Sequence, residues 1–157
     1  MTQEEIDKLI AKESAKATTI AALPIPLIDI AGVIYIQYNL VEKLAQSYGI
    51  SLDSKKRILL AAILVTGTGK AITELLHILA DKTSIDTLIS STVIDATITG
   101  LATGIIGDMY NIHFQKGGGV EDFGIDAVVK YLQVQIATEK LSIKSFTNNL
   151  IGSQLIS

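Results

Sequence analysis

Ala21-Ala-Leu-Pro24-Ile-Pro26-Leu-Ile-Asp29-Ile-Ala-Gly32-Val-Ile-Tyr35-Ile-Gln37-Tyr38 is an almost unbroken apolar run that carries both prolines of the chain and a single acid. Each proline lacks an amide donor and biases the residue before it toward extended backbone, so the pair ends the preceding element. Pro26 fits the first turn of a new helix. From there Leu27, Ile30, Val33, Ile34, Ile36, Leu40, Val41, Leu44 and Ala45 wrap most of the way around a helix, as in a segment contacted on several sides. Asp29 falls in its first turn, where a carboxylate complements free amides and the helix dipole. Gly49, after Tyr48, provides a left-handed stop. This stretch predicts a central buried helix that the other segments cover.

Working outward, Ile6, Leu9, Ile10 and Ala17 recur at helical spacing between Glu4 and about Thr19, while Glu4, Glu5, Asp7, Lys8, Lys12, Glu13 and Lys16 occupy the remaining faces. That is an amphipathic lead helix with a narrow apolar stripe. On the other side, Ser51-Leu-Asp53-Ser offers N-caps for a helix whose run Ile58 to Val65 is buried by composition, and a glycine hinge at Gly67 to Gly69 separates it from a further helix, Ile72 to Ala80. Asp81-Lys-Thr-Ser84 makes a turn before the longest segment, Ile85 to about Phe114. Its Ile, Val and Thr content suits strands, but the apolar and small residues recur at 3.6 spacing. Within it Ala96, Gly100 and Gly104 form a ridge of small residues at four-residue intervals, which lets another backbone approach closely. Gly117-Gly118-Gly119 reads as a flexible joint, followed by a helix through Phe123, Ala127, Val128, Tyr131, Leu132 and Gln135 and a weak helical tail from Ser142. The expectation is an all-α fold: a compact bundle of about six helices in one domain spanning 1–157, with lead helix 1–20, hydrophobic bundle 21–116, and helix and tail 117–157.

Composition narrows the function classes. Hydrophobic residues make up 48% of the 157 and charged residues 18%, with a mean hydropathy of +0.44, so apolar surface is expected to remain for a partner. A net charge of −3 and scattered basic residues argue against nucleic acid as that partner. Without cysteine there is no disulfide framework, thiolate nucleophile or Cys-type metal site. The acidic, amphipathic N-terminus is unlike a secretory signal, so a cytoplasmic location is expected. A bilayer-crossing helix needs about 20 apolar residues, whereas Asp29, Lys70, Asp86, Asp95 and Asp108 interrupt every long run. Buried or interfacial helices are the preferred reading, and integral or pore-forming hairpins on Leu27 to Leu40 and Ile85 to Gly107 are the competing one.

Catalytic signatures are absent. Thr66-Gly67-Thr68-Gly69-Lys70 resembles a phosphate loop only superficially, because Leu64 and Ala71 stand where that motif needs glycine and Ser or Thr. His77 and His113 lack histidine or acid partners at metal-ligand spacing. No Gly-x-Ser-x-Gly elbow occurs. The chain is therefore expected to be non-enzymatic, with no cofactor and no metal.

Ala22-Leu-Pro24-Ile-Pro26-Leu-Ile-Asp29, the helix with Gln37, and Leu44-Ala-Gln-Ser-Tyr48-Gly49 resemble the YcjF-like hydrophobic helical domain of bacteria, associated with Era-type GTPases. A looser similarity runs from Ala96 through Gly100 and Gly104 to Tyr110, so the resemblance covers about Lys16 to Gln115. It implies a helical module without catalytic residues, membrane-proximal in several relatives and linked to a GTPase that here acts from a separate chain. Pro24, Pro26, Asp29, Gln37, Tyr48, Gly49, Ala96, Gly100 and Gly104 are the structural or interaction residues it singles out. The function expected is an interaction module that self-assembles, binds a protein partner, or lies peripheral to the inner membrane, its contact surfaces being the first helix and the tail.

Overall fold

Helix ends in this protein are set by local chemistry, and the structure, a computed structural model that describes residues 1–23, 26–66, 68–81 and 91–137, shows how. Thr2 opens α1 (Gln3–Ala21) with a reciprocal cap: its Oγ1 accepts from the Glu5 amide at 3.2 Å, and its own amide donates to Glu5 Oε2 at 2.6 Å. These bonds hold the Glu5 carboxyl below its ordinary pKa. Pro26 begins α2 (Pro26–Ser47), as its fixed φ favours. Gly49, at φ 72°, ends that helix in a Schellman turn, its amide donating to Gln46 and that of Ile50 to Ala45. Asp53 Oδ1 accepts from the Lys56 amide at 2.9 Å and so caps α3 (Ser54–Thr66), which α4 (Thr68–Asp81) follows. After α5 (Ser91–Gln115), Gly117 at φ 87° makes a second Schellman turn, and α6 (Ile125–Ala137) completes the six helices among the described residues. They form an all-α bundle, and none is long and apolar enough to cross a membrane. The expected features at Pro24, Gly67, Ile85 and the tail from Ser142 lie outside the described residues.

The central helix is α5, not α2. It packs against α1, α2 and α4, and Ile98, Ala102, Ile106 and Tyr110 are fully buried along it. Among the α2 residues whose burial is described, Ile36, Gln37, Leu40, Val41, Leu44 and Ala45 are buried and Tyr35 is 66% exposed. The reason lies in side-chain size. Both α2 and α5 meet three helices, but the small residues of α5 let α1 approach closely along its length.

Gly107, Gly104 and Gly100 meet Ile10, Ser14 and Thr18 of α1 in turn, so the two helices run antiparallel with small residues on α5 matched against successive turns of α1. A Cβ at Gly100 would collide with Thr18 Oγ1 and lie 3.2 Å from the Ser14 carbonyl oxygen. At Gly104 it would lie 3.1 Å from Ser14 Oγ, a rotatable hydroxyl. The ridge read from the sequence thus serves packing within the bundle, and α1 docks its stripe on the same core, burying Ile6, Ile10 and Ala17.

Two further expectations are corrected. Glu13, assigned to the polar side of α1, is 2% exposed and lies within the stripe. The run Ile58 to Val65 is buried only at Leu60 and Leu64, while Ile58, Leu59 and Val65 face outward. An apolar composition fixes how much of a helix could be buried, and the number of neighbouring helices decides how much is.

Replacing Gly100 by Ala gains helix propensity worth about 1 kcal/mol but forces backbone apart. The steric term wins there, and a net loss of about 1 to 3 kcal/mol in urea unfolding is expected. Gly104→Ala, facing a hydroxyl that can rotate, is expected to lie within about 1 kcal/mol of wild type. Equal stability of the two variants would refute the register described.

Candidate functional site

The residues singled out by sequence divide by location. Gln37 is buried on α2 and its Nε2 donates to Thr103 Oγ1 on α5 at 3.1 Å. Tyr48 donates to Asn111 Oδ1 at 2.5 Å. Ala96, Gly100 and Gly104 are packed inside the α5 surface. Pro26 and Asp29 lie in the first turn of α2. Gln37 and Tyr48 thus join helices through hydrogen bonds, and Gly100 and Gly104 through close packing.

Glu13 is the one buried carboxylate among the residues whose burial is described. Its Oε1 receives Lys16 Nζ at 3.0 Å and Lys43 Nζ at 3.4 Å, so a lysine from α1 and another from α2 converge on it from half-exposed positions. Burial of a charge requires such pairing. The cluster ties α1 to α2.

The open chemistry lies at the far end of α5. Here the glycine segment is a folded plug and not a loose joint. His113 Nε2 lies 2.8 Å from the Gly119 carbonyl oxygen and 2.9 Å from Asp122 Oδ1. Both are acceptors, so this nitrogen carries the proton. Asp122 Oδ1 also accepts from the Gly119 amide at 2.7 Å. These bonds, with that from His113 foremost, hold the Asp122 carboxyl below the usual carboxylate range. A Cβ at Gly118 would run into the His113 ring. The segment buries Val120 and Phe123, and the Phe123 ring stacks on Tyr110 at 4.1 Å. Tyr110 is fully buried, which pushes its phenol pKa up.

Beyond the plug α6 rests on α4, with Val128 and Leu132 buried. A half-open groove of about 260 Å³ lies between α6 and α5, floored by Met109, Ile112, Phe123, Tyr131 and Val134 and rimmed by Lys116 and Lys130. Tyr131 donates to Asp108 Oδ2 at 3.4 Å. Its burial, and then the Asp108 charge, raise its phenol pKa, so it remains a neutral donor.

A second accessible feature is the outer face of α3. Ile58 is 71% exposed and Val65 51%, with Leu59 and Ala62 between them on the same side and Lys55 one turn earlier.

Asp95 stands 3.7 Å from His77 Nε2, and Asp108 faces Tyr131. Among the described residues no group of three or more His, Cys, Asp or Glu is placed to hold a metal.

A family model described as a domain of unknown function, DUF697, matches residues 2–138. The chain belongs to the DUF697 family. One relative of this DUF697 chain is magnetosome membrane protein 22 of Magnetospirillum gryphiswaldense, 26% identical over 140 residues, or 84% of this chain and 71% of the relative. No solved structure matches the chain significantly.

The plug escaped the sequence reading because three successive glycines signal freedom, whereas here the missing side chain of Gly118 makes room for an imidazole. The available signal was Asp122, nine residues after His113 across a turn. Because the folded pKa of Asp122 is lowered, its stabilisation is present above the ordinary carboxylate value of about 3.9 and is lost as pH falls through the lower folded value. Hydrogen exchange at the Gly119 amide is expected to speed up over that acid range in wild type and to be faster, and flat with pH after correction for intrinsic exchange, in Asp122→Asn.

Proposed function

We propose that this DUF697 chain is a non-enzymatic interaction module that docks peripherally on an anionic membrane surface through α3. The observation that carries this reading is the exposed apolar stripe of Ile58, Leu59 and Val65. Ordinary packing covers such side chains, and a contiguous exposed set marks a contact surface. Lys55 at the head of the stripe supplies the cation that an interfacial helix places among anionic headgroups. The membrane protein among the relatives supports the direction of the reading. So does the absence, among the described helices, of one able to span, since contact must then be made from the side.

The resemblance to the YcjF-like group adds a separate Era-type GTPase as a protein partner, recruited to the same surface. A second reading, self-assembly, draws on the same stripe, because two copies could cover it against each other. An inner-membrane, cytoplasmic-face location fits either reading.

Flotation with phosphatidylglycerol vesicles tests the proposal. Wild type is expected to float. Ile58→Glu and Val65→Glu should each weaken partitioning by roughly tenfold or more, since an apolar contact is lost and a repelled charge added. Both sites are more than half exposed, so unfolding midpoints should hardly move. Protein that stays with the aqueous phase, and sediments as a dimer that Ile58→Glu dissociates, would transfer the stripe to self-assembly.

A further inference from the structure

We propose that the groove between α5 and α6 is a binding site for a single-chain amphiphilic anion, in chemical class an alkyl carboxylate. This goes beyond the membrane reading and does not rest on it.

The floor consists of Met109, Ile112, Phe123, Tyr131 and Val134, with no acid among the lining residues. At the rim the ammonium groups of Lys116 and Lys130 are exposed and make no ion pair or hydrogen bond among the described residues. The other polar groups beside the groove are already engaged. His113 gives its Nε2 proton to Gly119 and Asp122, and the Tyr131 hydroxyl donates to Asp108. What remains to be satisfied among the described residues is therefore an apolar surface beside two positive charges. An alkyl chain with one terminal anion satisfies both, whereas a neutral chain leaves the ammoniums unpaired and a cationic one opposes them.

Size restricts the class further. A volume of about 260 Å³ falls just short of the roughly 300 to 1,000 Å³ typical of drug-sized ligand sites. A single flexible chain fits that space better than a multi-ring cofactor. The groove also has a structural origin: α6 packs on α4, and Phe123 holds the head of α6 against Tyr110, so the gap is held open at both sides by packed elements.

The chain has two methionines, Met1 and Met109, so methyl-labelled methionine provides one NMR signal inside the groove. Titration with dodecanoate below its micellar concentration should shift the Met109 methyl saturably. Affinity should rise by roughly twofold to fourfold for each methylene added from octanoate to dodecanoate. The double variant Lys116→Glu, Lys130→Glu should weaken binding by roughly tenfold or more with the thermal midpoint unchanged. Val134→Asp, at a half-exposed floor position, should weaken it independently. Ile58→Glu should leave dodecanoate binding unchanged, so failure here and failure of the membrane reading are separable. Phosphatidylglycerol vesicles form a second arm. A Met109 shift in both arms identifies a chain drawn from a bilayer, and a shift with dodecanoate alone identifies a free amphiphile. An unmoved Met109 methyl in both arms, equal affinity for dodecyltrimethylammonium, or unchanged affinity in the lysine variant would overturn the proposal.

Discussion

Close approach of α1 to α5 is the constraint on which the bundle depends. Ile10, Ser14 and Thr18 follow one another at one-turn intervals, and so nearly do Gly107, Gly104 and Gly100 in the opposite direction. Only missing side chains on α5 allow that spacing. With it, α1 buries Ile6, Ile10 and Ala17, each isoleucine contributing roughly 1.5 to 3 kcal/mol. Without it, the interface between α1 and α5 would open and leave only α2 and α4 packed on α5 among the described helices.

Specificity in this arrangement comes from a few polar contacts set into the apolar interfaces. Gln37 to Thr103 and Tyr48 to Asn111 join α2 to α5 near two different turns. Such neutral hydrogen bonds contribute only about 1 kcal/mol each, but a buried donor or acceptor left alone costs about 1 to 3 kcal/mol. A one-turn slide of α2 would break both. Their main effect is therefore on register, with Glu13 and its two lysines fixing α1 against α2 in the same way. Once α1 and the second half of α2 are committed inward, the outer face of α3 and the α5–α6 groove are two of the surfaces the described bundle leaves for other molecules.

Much of this was legible from residue spacing. The all-α class, the start of α2 at Pro26, the stop at Gly49 and the small-residue ridge all follow from local rules that packing reinforces. The capping box Thr2-Gln-Glu-Glu5 also stands in the sequence, and it starts the helix at Gln3, one residue before the expected Glu4. Burial was harder to read. The apolar run after Pro26 looked most central, yet centrality depends on how closely neighbours can approach, and glycines on α5 bring α1 in along its length. Glu13 and Ile58 failed for one reason: polarity indicates the environment a side chain prefers, while the neighbours that supply or withhold it come from elsewhere in the chain. The groove was invisible because its walls are separated by a turn whose shape depends on a hydrogen bond from His113.

That turn shows how a bundle can end in a cleft without losing order. If Gly117 to Gly119 were a free joint, α6 could collapse onto the last turns of α5 and bury Ile112 and Val134. Instead the Schellman turn directs the chain back, and Asp122 holds it across the imidazole of His113. Phe123 is then carried into the core beside Tyr110, with the start of α6 anchored there. From that anchor α6 leans on α4, where Val128 and Leu132 are buried, so its other side is held away from α5. Exposed apolar residues on the groove walls are thus a consequence of satisfying a buried ring and a histidine at the turn, and they persist because closing the groove would break that anchor.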